Sequence, residues 1–259
     1  MAPVAFRAVS DVHAALGALE RVATGPTPLL VLGDFLNFID YRTGAGMVAD
    51  ILGLEFARTA AHARGSGTDA RALWMEAVAA HDGDFRTELM SQARDQYHQA
   101  RAALERAEHV YATFGNVDHP ELLREYLADV ASVLHGDVVE VHGLRVGLVG
   151  GGRRSPFGDT GEDDLAVALE RLGPVDVLGT HLPPAVPALY RDVVTGLDEK
   201  HAEAVSEYLA RHRPRLHLFG DVHQPRATTW RVGPTTCVNV GYFRATGRAV
   251  TVMADGTVC

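Results

Sequence analysis

PLLVLGD, residues 28 to 34, is the stretch on which the reading of this chain turns. Residues 28–32 are apolar without alternation, as expected for a strand buried on both faces, and the run stops at Gly33-Asp34. The same form recurs along the chain. Residues 4–9 end at Ser10-Asp11, 110–114 at Gly115-Asn116, 175–179 at Thr180-His181 and 216–219 at Gly220-Asp221. In open α/β sheets ligands bind beyond the carboxyl ends of the strands, so these five polar endings can meet in one crevice.

Between these strands, residues 14–23 carry Leu16, Leu19 and Val22 at helical spacing, and Pro120 suits the first turn of a helix continuing to Val130. Asp198 is placed to cap a helix running to about His212. Residues 44–109 are rich in Ala, Leu, Glu, Arg and Gln, with breaks at residues 64–67 and 82–84, which predicts two or three helices. This helical insert separates Asp34 from Asn116 by more than a minimal crossover needs. It is read as a cap over the cleft or as a homodimer contact, with the cap favoured because Tyr41 and Arg42 emerge beside the second strand ending. Residues 144–149, 227–232, 237–240 and 249–253 look like further strands.

Length and composition narrow the class. The 259 residues are 47% hydrophobic and 22% charged, enough apolar material for one substantial core, and the whole chain, 1–259, is read as a single domain carrying the insert. Lys plus Arg number 24 against 33 Asp plus Glu, a net charge of −9, the wrong sign for gripping a long nucleic-acid backbone. Only Cys237 and Cys259 are present, in no CxxC pair, so neither a disulfide framework nor a thiolate zinc site is indicated. With no leader pattern and no long apolar run, a cytoplasmic protein with no membrane partner is expected.

The strand endings carry the chemistry. Asp11 and His13 stand two positions apart on one loop and can grip the same cation; alone they are as readily a helix cap and a surface histidine. Asp34 offers two oxygens that can bridge a pair of ions, or an ordinary turn. Asn116 offers a neutral amide oxygen, with Asp118 and His119 following, and these also suit turns and caps. His181 is held by a Pro-Pro segment, and Asp221 and His223 close the last ending. Taken jointly, mixed nitrogen and oxygen donors suit Mn, Fe or Zn rather than Ca. Gly150-Gly151-Gly152 with Arg153 and Arg154 can contact a substrate phosphate or form a solvated glycine turn. His217, inside a strand, is expected to pack or pair within the sheet.

With these residues in order, the chain resembles the calcineurin-like metallophosphoesterases. Their pattern of DxH, GDxxD, GN with a following acid, a lone His and GHxH is matched by Asp11-Val12-His13, Gly33-Asp34-Phe35-Leu36-Asn37, Gly115-Asn116-Val117-Asp118, His181 and Gly220-Asp221-Val222-His223. The resemblance implies a four-layer α/β sandwich, two mixed β-sheets flanked by helices. It implies two metal ions, with Asp11, His13 and His223 on one, Asp34 bridging, and Asn116, His181 and Asp221 on the other. Asp34, Asn116 and Asp118 take catalytic positions. The activity implied is hydrolysis of a small phosphate ester, preferably a diester, by a hydroxide bridging the ions; a monoesterase, or a binding protein with weakened catalysis, is the alternative. Three positions depart from the pattern. Asp221 stands where a His is usual, which favours a harder ion or weakens the second site, and Asn37 replaces a supporting acid. Val117 occupies the place of a leaving-group His and can neither donate a proton nor pair with an oxygen, which leaves His119 as the substitute if its side chain turns into the cleft.

Overall fold

The computed structural model describes residues 2–66, 69–153 and 156–259. The first half runs β1 (Val4–Val9), α1 (Leu16–Val22), β2 (Leu29–Leu32), α2 (Met47–Leu52), α3 (Leu54–Gly65), α4 (Arg71–Ala80), α5 (Phe85–Leu104), β3 (Val110–Thr113), α6 (Pro120–Leu127) and β4 (Ser132–Val133). The second runs β5 (Asp137–Val141), β6 (Leu144–Val149), α7 (Glu162–Leu172), β7 (Val177–Thr180), α8 (Pro187–Tyr190), α9 (Glu203–His212), β8 (Leu216–Phe219), β9 (Thr229–Val232), β10 (Thr235–Asn239), α10 (Phe243–Thr246) and β11 (Val250–Met253).

The strands form two mixed sheets, ordered β11-β1-β2-β3-β4 and β5-β6-β7-β8-β10-β9. In the first, β1 to β4 are parallel and β11 is antiparallel; in the second, β6, β7, β8 and β10 are parallel and the edges β5 and β9 are antiparallel. Strand alternation explains why both sheets are apolar on both faces. Leu30 and Leu32 of β2 pack between the sheets with Phe6, Val146, Leu148, Leu216 and Leu218, while Leu29 and Val31 face the helices. Helices α1, α2, α5 and α6 cover the outer face of the first sheet, and α7 and α9 cover that of the second. The result is the expected α/β sandwich of two mixed sheets flanked by helices.

Local departures from expectation have identifiable causes. Helix α9 begins at Glu203, because Asp198 is engaged by Arg191 at 3.0 Å instead of capping. Helix α6 stops at Leu127, three residues short of Val130. Residues 44–109 hold four helices, since Gly53, at φ +88°, separates α2 from α3. Nor are they one appended insert. Leu89, Ala93, Tyr97, Ala100 and Leu104 of α5 lie in the main core, so α5 is the crossover helix between β2 and β3. Helices α3 and α4 build a small second core with Val48 of α2, Phe38 and Ile39, in which Trp74 stacks on Phe38 at 6.0 Å and meets Phe56 edge-on at 5.0 Å. Strands β4 and β5 are additions to the expected strands, although His142-Gly143, both at positive φ, closes a two-residue hairpin between Val141 of β5 and Leu144. No helix among the described residues is long and apolar enough to cross a membrane.

His217 packs and pairs within β8, as its strand position suggested. It is fully buried, its Nε2 lies 2.8 Å from Thr180 Oγ1, and its Nδ1 has no partner. Burial drives its pKa down from 6.5 to about 3. The unfolded chain therefore binds one more proton across that window, and stability falls as pH is lowered from 6.5 toward 3, by up to about 4 to 5 kcal/mol. His217→Leu is expected to flatten this dependence in acid unfolding followed by circular dichroism. Identical pH profiles for the two proteins would refute the assignment.

Candidate metal centre

The site is built where the strands end, and its backbone is under strain. Asp11, His13, Ala14, Asp34 and Asp221 all adopt left-handed φ, between 42° and 63°, at a cost of roughly 1–2 kcal/mol for each non-glycine residue. The first two loops hold each other there. Asp11 N–H donates to Gly33 O at 3.2 Å, His13 N–H to Asp34 O at 2.8 Å and Ala14 N–H to Phe35 O at 2.8 Å. The glycines preceding the ligands exist for close approach. A Cβ on Gly115 would stand 2.1 Å from Asp34 Oδ1 and 2.7 Å from the His181 ring, and one on Gly220 would stand 1.8 Å from Ser10 Oγ and 2.7 Å from Asp11 Oδ2. Gly115-Asn116 and Gly220-Asp221 are thus places where another strand ending's side chain crosses bare backbone, and at Gly33 the crossing group is the backbone of Phe114 and Gly115.

Seven expected ligands converge. His223 Nε2 lies 3.4 Å from both Asp11 Oδ1 and His13 Nε2, and His13 Nε2 is 3.6 Å from Asp34 Oδ2. On the other side of Asp34, His181 Nε2 stands 3.4 Å from Asp34 Oδ1, 3.6 Å from Asp221 Oδ1 and 3.2 Å from Asn116 Oδ1. Two overlapping groups, Asp11 with His13 and His223, and Asp11 with Asp34 and His181, have donor atoms close enough to share an ion. Three observations fit a cation. His13 and His181 donate Nδ1–H to the carbonyls of Leu36 and Leu32, at 2.9 and 2.8 Å, which turns Nε2 of each inward. Asp11 Oδ1 is buried with no hydrogen-bond partner. Asn116 Oδ1 faces acceptors alone; turning the amide over would instead give His181, Asp34 and Asp221 a donor at 3.2, 3.2 and 3.0 Å.

Charge in the cluster is unevenly held. Burial opposes ionisation of Asp11, but His223, 3.4 Å from its Oδ1, with His181 and His13 behind it, keeps its carboxyl down at about 2. Burial pushes Asp34 up to about 6 despite His181 and His13, with Asp11 and Asp118 adding repulsion. Against burial, Asp34, Asp221 and Asp11 hold His181 well above its usual value.

Other expected site residues fare differently. Asp118, placed among the catalytic residues, is a positioning residue. Its buried carboxylate accepts N–H groups from Asp34 (2.7 Å), Phe35 (3.0 Å), Leu36 (3.4 Å) and Gly115 (2.9 Å), and the Tyr97 hydroxyl (3.2 Å). His119 is not brought into the cleft. Its Nδ1 sits at the start of α6, 3.5 Å from Leu122 N–H and 3.1 Å from the Glu121 carboxylate. Arg153 is exposed, with Glu162 3.7 Å away, and does not line the cleft; Arg154 lies outside the described residues. The glycines before it serve packing, since a Cβ on Gly152 would stand 2.2 Å from Asn116 Cβ. Asn37 and Val117 line the cleft as the spacing implied, and Val117 N–H donates to Asp34 Oδ1 at 3.1 Å.

Tyr41 and Arg42 stand beside the site as their place after the second strand ending implied, whereas Arg64, Asp192 and Glu199 were missed. The cleft has a volume of ≈ 220 Å³, with the ligands on its floor, Tyr41, Arg42 and Arg64 on the insert side, and Asp192 and Glu199 opposite. Arg64 joins the walls, donating to Glu199 at 3.0 Å and to the Tyr41 hydroxyl at 3.1 Å. Arg244 fastens the start of the insert, donating to Asp40 at 3.0 Å and to the His13 carbonyl. Neither contact leaves a local sequence signal.

Fold and site together define a two-sheet α/β sandwich with an Asp/His cluster able to hold metal at its strand ends. No protein-family model and no curated protein matches the chain. Among solved structures, one superposes with a TM-score of 0.65 at 16% identity, over 98% of this chain and 96% of its own. TT1561 of Thermus thermophilus superposes with a TM-score of 0.59 at 14% identity, over 100% of this chain and 98% of its own. These likenesses show the fold.

Proposed function

We propose that this chain is a metal-dependent phosphoesterase of the calcineurin-like kind, holding two transition-metal ions and hydrolysing a small phosphodiester. The observation that carries this reading is the double cluster around Asp34, whose two oxygens face His13 on one side and His181 on the other. Asp11, His13 and His223 would hold one ion, Asn116, His181 and Asp221 the other, with Asp34 shared. Such a pair supplies Lewis acidity, activating water for attack on phosphorus and neutralising the phosphoryl oxygens. The protein's own residues do the rest. Gly115 and Gly220 admit the ligands, Asp118 fixes the Asp34 loop, and the walls limit the substrate to a small molecule. Apolar Val117 on the wall supplies no proton to a leaving group, which favours esters that leave readily.

Elemental analysis of protein from medium supplemented with Mn, Fe and Zn tests the reading, together with turnover of bis-p-nitrophenyl phosphate. About two ions per chain are expected, with turnover lost to a chelator and restored by metal. Protein that retains no transition metal, or that is loaded yet cleaves neither diester nor monoester, would overturn it.

A further inference from the structure

The geometry points to a second, anion-binding pocket on the insert, beside the metal cleft, and hence to a substrate carrying a phosphate beyond the one cleaved; this second half rests on the phosphoesterase reading. Tyr41, Arg42 and Ala61, which line the cleft, also line a neighbouring pocket completed by Gly44, Arg58 and His62. Among the described residues that pocket, which Ser66 also lines, gathers two arginines and a histidine and no Asp or Glu, in a chain of net charge −9.

Several other arginines are already committed to ion pairs. Arg64, Arg101, Arg191, Arg211 and Arg244 each pair with a carboxylate. Arg58 uses only its Nε, donated to Thr43 O at 3.2 Å, and its two Nη groups have no acceptor among the described residues. Its stem is seated on Gly44, where a Cβ would stand 2.7 Å from Arg58 Cγ and where φ is +79°. The side chain of Arg42 likewise has no carboxylate partner among the described residues. The divider between the two cavities is fixed, because the guanidinium of Arg64 lies 4.5 Å over the Tyr41 ring and bonds its hydroxyl. Guanidinium groups with free Nη donors match the paired oxygens of a phosphate. A molecule seated on the metals and passing Tyr41 would bring its next anionic group against Arg42 and Arg58.

The test begins with the metal-stripped full chain, in which the carboxylate-rich floor repels anions. Titration calorimetry with inorganic pyrophosphate is expected to show saturable binding that weakens as salt rises. Arg58→Gln and Arg42→Gln should each weaken it by about tenfold, and Arg153→Gln should not. No binding, or equal binding by wild type and both variants, overturns the pocket. On the metal-loaded protein, p-nitrophenyl thymidine 5′-phosphate is compared with and without a 3′-phosphate. A lower KM for the phosphorylated ester, with the preference lost in Arg58→Gln, is expected. Turnover without that preference overturns the substrate assignment alone; absence of turnover with either ester counts against the phosphoesterase reading as well, while the pyrophosphate titration still decides the pocket.

Discussion

Asp34→Asn is expected to abolish retention of a metal pair and to lower phosphoester turnover on the order of 10³-fold or more, while leaving the metal-free protein more stable than wild type at neutral pH. The two effects have one origin. Asp34 faces both halves of the cluster, so losing its charge deprives each half of the ligand they have in common. That same carboxylate is expensive to bury. Its folded pKa, raised from 3.8 to about 6, means that the stability it contributes is present below about pH 4 and lost as pH rises through 6. At pH 7.5 the penalty is fully expressed, and an amide of the same shape avoids it. A gain of about 1 to 3 kcal/mol follows, seen as a Tm higher by a few degrees in chelator-treated samples. A variant that keeps its metals, or that melts below metal-free wild type, would contradict this account.

Asp118→Ala should destabilise the protein by about 3 to 5 kcal/mol, lowering Tm by roughly 10 °C. Four buried backbone N–H groups and the Tyr97 hydroxyl lose one shared acceptor. Because three of those amides belong to residues 34 to 36, metal retention should fall with stability. Tyr97→Phe removes one donor and is expected to cost about 1 kcal/mol. Thermal melts paired with turnover separate this role from a direct catalytic one: an Asp118→Asn protein with unchanged Tm and lost turnover would place Asp118 in the chemistry.

The ligands are legible in the sequence because each sits where an apolar run stops. A run such as residues 28–32 can only be a strand covered on both faces, and its end is where polar chemistry begins. Asp118 shows the limit of that reading: its position after Gly115-Asn116 marks a loop but not whether its oxygens face solvent, substrate or five donors. Arg64 and Glu199 are 135 positions apart and meet only because α3 folds over the second sheet's loops, a tertiary event without local periodicity. Helix α5 reads as part of the insert for a related reason. Half of its buried residues are alanine, so little in its composition separates a core crossover from a solvated helix.

The ligand cluster draws on both sheets. Asp11, Asn116 and Asp34 follow strands of the first, whereas His181, Asp221 and His223 follow β7 and β8 of the second, and bonds such as His181 Nδ1 to Leu32 O already span the seam. Elsewhere the sheets meet chiefly through side chains such as Phe6, Val146 and Leu216, which burial holds, with Arg215 donating to the Asp255 carbonyl across the far end. The sandwich is therefore built like a book, glued along the pages by hydrophobic contact and clasped at one edge by polar groups. Opening that clasp would let the covers part at the ligand end while the glue holds, so a single set of strand endings governs both what the cleft can bind and how tightly the two layers close.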